Sequence, residues 1–253
     1  MAKEYVLAID QGTTSTRAML FQHNGTSAGV AQLEHDQIYP QAGWVEHDPK
    51  EIWEKTQQVT SQVLRDNNLS ADSIAAVGIT NQRETPGVWD KNTGEPVYNA
   101  IVWQDTRTQP IVSRWKEEGY EDEIKPKTGL VIATYFSGTK IAWILENVEG
   151  ARERAERGDL LFGNTDTWLI WNLTGGVNGG RHITDYTNAS RTMLFNLADT
   201  DWDEHILAEL NIPRSRLPEL RPSSDRETYG STVADGALGG QVPIAGDAGD
   251  QQA

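Results

Sequence analysis

The chain has 253 residues, of which 22 are Lys or Arg and 37 Asp or Glu, giving a formal net charge of −15, and it has no Cys. Its length and its 37% hydrophobic content suffice for a sizeable core in one large domain or two small ones, which excludes wholesale disorder. The absence of Cys excludes disulfide scaffolds, thiolate zinc sites and cysteine nucleophiles, and the acidic balance argues against nucleic-acid or anionic-membrane partners, whose phosphates are met by basic faces.

No apolar run approaches the roughly 18 residues of a membrane span. The opening MAKEYVLAID reaches Asp10 after too short an apolar stretch for a secretory signal, so a soluble, cytoplasmic protein is expected. The basic residues are 14 Arg and 8 Lys. Together with the acid excess this fits a salt-adapted surface, and it fits an ordinary acidic enzyme equally well.

In chain order, Val6–Asp10 and Arg17–Phe21 read as strands separated by Gln11-Gly12-Thr13-Thr14, and Asn24-Gly25 marks the hairpin into a third strand. Asp48 is a natural N-cap and Pro49 a natural first residue for a helix whose face is Ile52, Thr56, Val59, Val63 and Leu64, stopping at Asn67-Asn68. Ile74–Thr80 is a buried-type strand. Val88-Trp89 and Val97 through Trp103 are shorter strand candidates around the turn at 91–94. Helices are expected over Ser113–Glu118, Ser137–Glu149, Thr167–Leu173 and Glu204–Leu210, and strands at Leu160–Phe162 and Pro243–Ala245. Gly246–Asp250 reads as a strand-to-helix turn, with Gln251 opening a helix. The mixture predicts an α/β fold with a mixed sheet flanked by helices.

Three segments carry candidate chemistry. In Asp10 through Arg17, an Asp at the end of a buried strand precedes a Gly, the donors Thr13, Thr14 and Ser15, and the cation Arg17. That combination suits a phosphate cradle, and it also suits an ordinary polar hairpin turn; no Walker loop occurs. Asn81 through Thr85 places Arg83 and Glu84 at the carboxyl end of a buried strand, where open α/β sheets bind ligands. The alternative there is a solvated loop with a local ion pair. Asp247 and Asp250 each suit a general base, a metal ligand or a helix cap, and spacing does not choose between them. The segment GGVNGG at 175–180 lacks the residues of a phosphate loop and reads as a hairpin tip. The five His show no metal-ligand spacing and read as surface or capping residues. Trp168 and Trp171 sit at core spacing, whereas Trp103 ends a strand and can wall a pocket.

The blocks DQGTTSTR (Asp10–Arg17), GWVEHDP (Gly43–Pro49), GITNQRET (Gly78–Thr85), YNAIVWQDTRT (Tyr98–Thr108), YFSGTKIAWILEN (Tyr135–Asn147), DTWLIW (Asp166–Trp171), TDYTNASRTMLF (Thr184–Phe195) and GDQQA (Gly249–Ala253) resemble the glycerol kinases, a branch of the wider carbohydrate-kinase family. The resemblance runs the length of the chain. It implies an actin-like, ribonuclease-H-type fold of two domains around a cleft. Residues 1–253 are then expected to be the N-terminal domain, ending at the opening of a second one, and to bind glycerol weakly and not turn over alone.

The same resemblance implies roles. Asp10 is similar to the magnesium-organising Asp, Thr13, Thr14 and Ser15 to the nucleotide-phosphate loop, and Arg17 to the phosphate-side Arg. Arg83, Glu84, Tyr135, Asp250 and Gln251 match the glycerol-contacting set, Trp103 the apolar wall, and Asp250 the catalytic base. Asp247 has no counterpart in that role. The implied reaction is Mg²⁺-assisted transfer of the ATP γ-phosphoryl to a terminal glycerol hydroxyl, giving sn-glycerol 3-phosphate and ADP, by an enzyme expected to be a homo-oligomer. Another sugar or polyol kinase of the family, an actin-like ATPase module and a non-catalytic actin-like binding fragment are the alternatives. Three departures stand out: Pro86-Gly87, expected to loosen the hairpin after Glu84; the long GGVNGG loop; and the neutral Gln241 where some members carry a basic residue tied to sugar-phosphate inhibition.

Overall fold

The computed structural model describes residues 4–225, 227 and 229–253. The chain begins with three antiparallel strands joined by tight turns, β1 (Tyr5–Gln11), β2 (Ser15–Gln22) and β3 (Ser27–Glu34). A two-residue strand, β4 (Glu46–His47), leads into α1 (Pro49–Asp66). Asp48 caps this helix as expected, accepting from the Lys50 N–H at 2.8 Å, and Pro49 fills the first turn, where its missing N–H costs nothing. Next come β5 (Ile74–Asn81), β6 (Pro86–Asp90) and β7 (Ala100–Ile101).

A helical stretch follows, with α2 (Gln109–Glu117), α3 (Glu121–Thr128), α4 (Ser137–Asn147) and α5 (Ala151–Arg157). Beyond it lie β8 (Leu160–Asn164), α6 (Thr165–Leu173), β9 (Ile183–Asp185), α7 (Tyr186–Ala189), β10 (Phe195–Asn196), β11 (Asp201–Trp202), α8 (Glu204–Glu209), β12 (Glu219–Arg221) and β13 (Ile244–Gly249). Among the described residues no helix is long and apolar enough to cross a membrane.

The main sheet has the order β13-β5-β1-β2-β3. β1, β2 and β3 are antiparallel neighbours, whereas β5 and β13 run parallel to β1, so the sheet is mixed as the sequence predicts. Two apolar cores result. One packs α1 and α6 with the main sheet, through residues such as Leu7, Ile52, Val77 and Leu169. The other gathers α2, α4, α5 and β8 around Trp115, Ile144 and Phe162. β6 belongs to both: Val88 faces the second core and Trp89 the first, because neighbouring strand residues point to opposite faces. Trp168 and Trp171 close on Trp89 with ring centroids 5.2 and 5.8 Å away, as expected of core tryptophans.

The structure departs from expectation at several elements. The predicted strand Val97 through Trp103 shrinks to Ala100–Ile101, which pairs only with the two-residue β4. α3 and α5 escape the sequence reading because each buries only two side chains, and α3 carries Pro126 inside it. β13 runs through Gly249, so 246–249 is strand and the turn starts at Asp250. Pro86 and Gly87 do not loosen their hairpin. Both are buried in β6 and lie opposite Asn164 and Gly163 in an uninterrupted ladder with β8. Pro86 is tolerated because it is the first residue of the strand.

Gly87 borders a hollow of about 10 Å³ lined also by Ile52, Trp89 and Trp168, and a Cβ at this position would meet nothing within 4 Å. Gly87→Ala is therefore expected to stabilise the fold by about 0.5–1 kcal/mol by removing backbone entropy from the unfolded chain. Thermal unfolding would register this as a rise of a few degrees, and an unchanged or lower Tm would contradict it.

Candidate functional site

Three parallel strands end at one edge of the main sheet. Gln11 of β1, Asn81 of β5 and Gly249 of β13 lie in one row across it. The backbone keeps them joined beyond the strands: Gln82 N–H donates to Gln11 O at 2.7 Å, and Asp250 N–H to Asn81 O at 3.2 Å. The segments 11–15, 82–85 and 250–252 thus leave the sheet side by side, at the edge where open α/β sheets receive ligands.

The first segment is a tight turn in which Gly12 N–H donates to Ser15 O at 2.9 Å. Asp10 faces Arg17 across the β1–β2 ladder. Burial pushes the Asp10 carboxyl above the usual range, the Asp250 charge adds to this, and Arg17 opposes it. The turn is held from behind. The Thr13 carbonyl accepts from His35 Nε2 and from Gln37 Nε2, both at 3.0 Å, and Gln32 reaches Ser15 Oγ at 2.8 Å and Arg17 Nε at 3.2 Å. Thr14 is exposed.

The second segment places Arg83 across the backbone of Gly249. An added Cβ there would lie 2.1 Å from Arg83 Cδ, so only glycine leaves room for this approach. Arg83 Nε then donates to Asp250 Oδ1 at 2.9 Å, and its other arm to Gln252 Oε1 at 3.0 Å. The Arg83 side chain is 4% exposed and that of Asp250 48%. Glu84 adopts a left-handed backbone conformation, φ 61°, and its buried carboxylate accepts from Arg191 Nε at 2.7 Å. Burial raises the Glu84 pKa, and Arg191 and Arg83 work against the rise.

Two aromatic residues complete the cluster. Trp103 packs edge-on against Tyr135 with centroids 5.5 Å apart, and its Nε1–H donates to Thr13 Oγ1 at 3.0 Å. Its own N–H donates to Thr85 Oγ1 at 3.1 Å. Burial raises the Tyr135 phenol pKa, followed by the Glu84 charge, with Arg191, Arg83 and Asp250 also within electrostatic reach. Asp10, Thr13, Arg83, Glu84, Trp103, Tyr135 and Asp250, scattered over most of the chain, therefore share one region of the surface.

Residues 5–253 match the family model described as "FGGY family of carbohydrate kinases, N-terminal domain". The chain belongs to the FGGY family of carbohydrate kinases. Over 253 residues it is 61% identical to a glycerol kinase of Roseiflexus sp. (strain RS-1) and 59% identical to one of Clavibacter michiganensis subsp. michiganensis. It covers 50% of each, so the chain spans about half the length of the curated relatives it matches. A crystal structure of Plasmodium falciparum glycerol kinase with ADP aligns at a TM-score of 0.91 and 37% identity, over 98% of this chain and 49% of that one. Gluconate kinase from Lactobacillus acidophilus, at 24% identity and a TM-score of 0.83 over 97% of this chain and 48% of its own, shares the fold. The fold is the actin-like, ribonuclease-H type.

Against that family background, the structure adds residues that sequence reading missed. Arg191 lies in the quoted block TDYTNASRTMLF, yet nothing local in the sequence marks it as the partner of Glu84, 107 positions earlier. Gln252 rather than Gln251 meets Arg83; Gln251 is exposed and makes no side-chain hydrogen bond among the described residues. His35 and His47 are buried, contrary to the surface or capping role expected of them. His47 bridges Gln37 Oε1 at 2.8 Å and Gln82 Nε2 at 3.1 Å, so it connects Gln82 to the side chain that supports Thr13. Burial, with His35 second, pushes the His47 pKa down to about 3, so this ring is neutral at pH 7. The signal available in sequence was the placement of His47 inside the block GWVEHDP.

Asp247 lies two residues before Gly249 but is buried in the sheet, away from the exposed Asp250. Among the described residues its carboxyl oxygens lack a well-formed hydrogen bond, whereas the neighbouring Asp185 is saturated by Thr187, Asn188 and Ser223. Burial, and then the Asp166 and Asp185 charges, push Asp247 well above the usual carboxylate range, and burial pushes Asp166 up to about 6.

Two outcomes are expected. Gly249→Ala should expel the Arg83 side chain and break its bond to Asp250; an Arg83 Nε–H resonance at its wild-type position in NMR spectra would contradict this. For Asp247, the folded state keeps a proton that the unfolded chain releases above its pKa of about 3.9, so stability falls as pH rises from there. Asp247→Asn should be the more stable protein by about 1–3 kcal/mol at pH 8, with the advantage shrinking toward pH 4. Urea unfolding across this range checks it, and a pH-independent difference would refute it.

Proposed function

We propose that this chain is the glycerol-binding, N-terminal half of a kinase that transfers the γ-phosphoryl group of ATP to a terminal hydroxyl of glycerol, giving sn-glycerol 3-phosphate and ADP. The observation that carries this reading is the convergence of Arg83, Glu84, Trp103, Tyr135 and Asp250 at one sheet edge beside the Asp10–Arg17 turn. Glycerol kinases that are about 60% identical across the whole chain support the choice of polyol. A second actin-like half would supply the adenine pocket, and ATP use suits a cytoplasmic location.

In this reading the glycerol carbons lie against Trp103. Arg83 donates to one hydroxyl and Glu84, with one oxygen held by Arg191, accepts from another. Fixing which hydroxyl points at phosphorus is worth several kcal/mol in orientation. Asp250 accepts the proton of the attacking hydroxyl. Its exposure leaves it free to meet a ligand, and the Arg83 bond keeps it aimed. In a loose transition state that proton moves late, so positioning matters as much as basicity.

Thr13, Thr14, Ser15 and Arg17 would cradle the phosphates. The donor set also fits Mg²⁺. Asp10 and Asp250 are hard oxygen donors that repel each other, which a cation between them would relieve. Among the described residues no three carboxylates or imidazoles form a metal nest by themselves, as suits an ion that keeps water and phosphate ligands. When bound, Mg²⁺ would neutralise charge on the phosphoryl oxygens.

In the complete enzyme, Asp250→Asn is expected to lower kcat by roughly 10²–10⁴-fold while glycerol affinity is largely kept. Near-normal turnover would remove Asp250 from the role of base.

A further inference from the structure

Lys140 sits in α4 with its side chain wholly buried. Its Nζ donates to two main-chain carbonyls, Tyr135 O at 2.6 Å and Glu84 O at 2.9 Å. Among the described residues no carboxylate forms a salt bridge with it, although the Glu84 and Asp105 charges lie within electrostatic reach. A buried lysine is ordinarily retained only when paired with charge, because desolvating the ammonium is costly. Here the same burial lowers its pKa to about 7.

Both carbonyls belong to residues whose side chains enter the polyol site. Glu84 is also held in a left-handed conformation that non-glycine residues rarely adopt. Such a conformation persists where its surroundings over-determine it. Glu84 has two restraints of this kind, Arg191 on its carboxylate and Lys140 on its carbonyl. Lys140 joins the main chains of both segments, 51 positions apart in sequence, with one atom.

We propose that Lys140 is a positioning residue for glycerol: by tying the Glu84 and Tyr135 main chains to one nitrogen, it sets the spacing at which their side chains meet the substrate. This rests on the glycerol reading of the site. Lys140 touches no reacting atom and acts through Glu84 and Tyr135.

The test uses the complete enzyme and Lys140→Met, which keeps the stem and removes the donors. The glycerol KM should rise about tenfold or more while the ATP KM changes less than about twofold. In a Glu84→Gln, Tyr135→Phe background, where the positioned groups are gone, the same substitution should add less than about threefold to the glycerol KM. Lys140→Gln, whose amide retains N–H donors, should recover part of the glycerol KM, and it carries the comparison if the Met variant does not fold. Equal effects on both substrates, equal effects in both backgrounds, or a wild-type KM in the variants would overturn the positioning role. A wild-type enzyme that does not phosphorylate glycerol would instead overturn the reading of the site.

Discussion

The close approach of Arg83 to the backbone of Gly249 is the constraint on which the site depends. β5 and β13 are hydrogen-bonded neighbours, and a side chain leaving the end of one must cross the end of the other to reach Asp250. Only a residue without Cβ permits that crossing. Once it is made, a guanidinium with almost no exposure is held by an exposed carboxylate, and β1 joins the same edge through Gln82 and Gln11. Parallel strands supply the row, and a glycine lets it be used.

Around this edge, burial and partnership are divided unevenly. Groups that must not move are buried and saturated. Arg107 lies 3.8 Å from the Trp44 ring centroid and 4.8 Å from that of Trp143, and it forms ion pairs of 2.8 Å with Glu46 and Asp105. Removing one partner from such a buried pair leaves a charge without compensation, so the arrangement specifies one geometry. Asp105 Oδ2 accepts from Val45 N–H at 2.6 Å, which fixes the loop behind Trp103. The Asp10–Arg17 turn rests on neutral imidazoles and amides, which add no charge close to where phosphate would bind. Asp250 is the exception, half exposed and held only from one side by Arg83.

Much of the fold was legible because its signals are local. The Asp48-Pro49 start of α1, the Asn24-Gly25 hairpin and the apolar runs of β1, β2 and β5 follow from residues within a few positions of one another. β13 was cut short because Asp247 and three small residues look like a turn; its strand character comes from pairing with β5, which a local pattern cannot contain. α3 and α5 were lost for the same reason, each depending on a surface that the rest of the chain provides. In the site, strand-end position pointed to Asp10, Arg83, Glu84 and Trp103 and left Asp247 and Asp250 as alternatives, while family resemblance favoured Asp250 and supplied Tyr135. What neither could give was the long-range partners. Arg191 on Glu84, His47 between Gln37 and Gln82, and Lys140 across Glu84 and Tyr135 arise only from folding. The GWVEHDP, YNAIVWQDTRT and KIAWILEN segments meet at Arg107, so part of what reads as a functional signature is the frame that holds Trp103.

The central claim is that these dispersed side chains form one receptor for a three-carbon alcohol. A crystal structure of the complete enzyme grown with glycerol tests it most directly. The account predicts a single glycerol whose hydroxyls contact Arg83, Glu84, Tyr135 and Asp250 while its carbons lie on Trp103. Glycerol bound elsewhere, with Arg83 still joined to Asp250 and no ligand between Trp103 and Glu84, would contradict it.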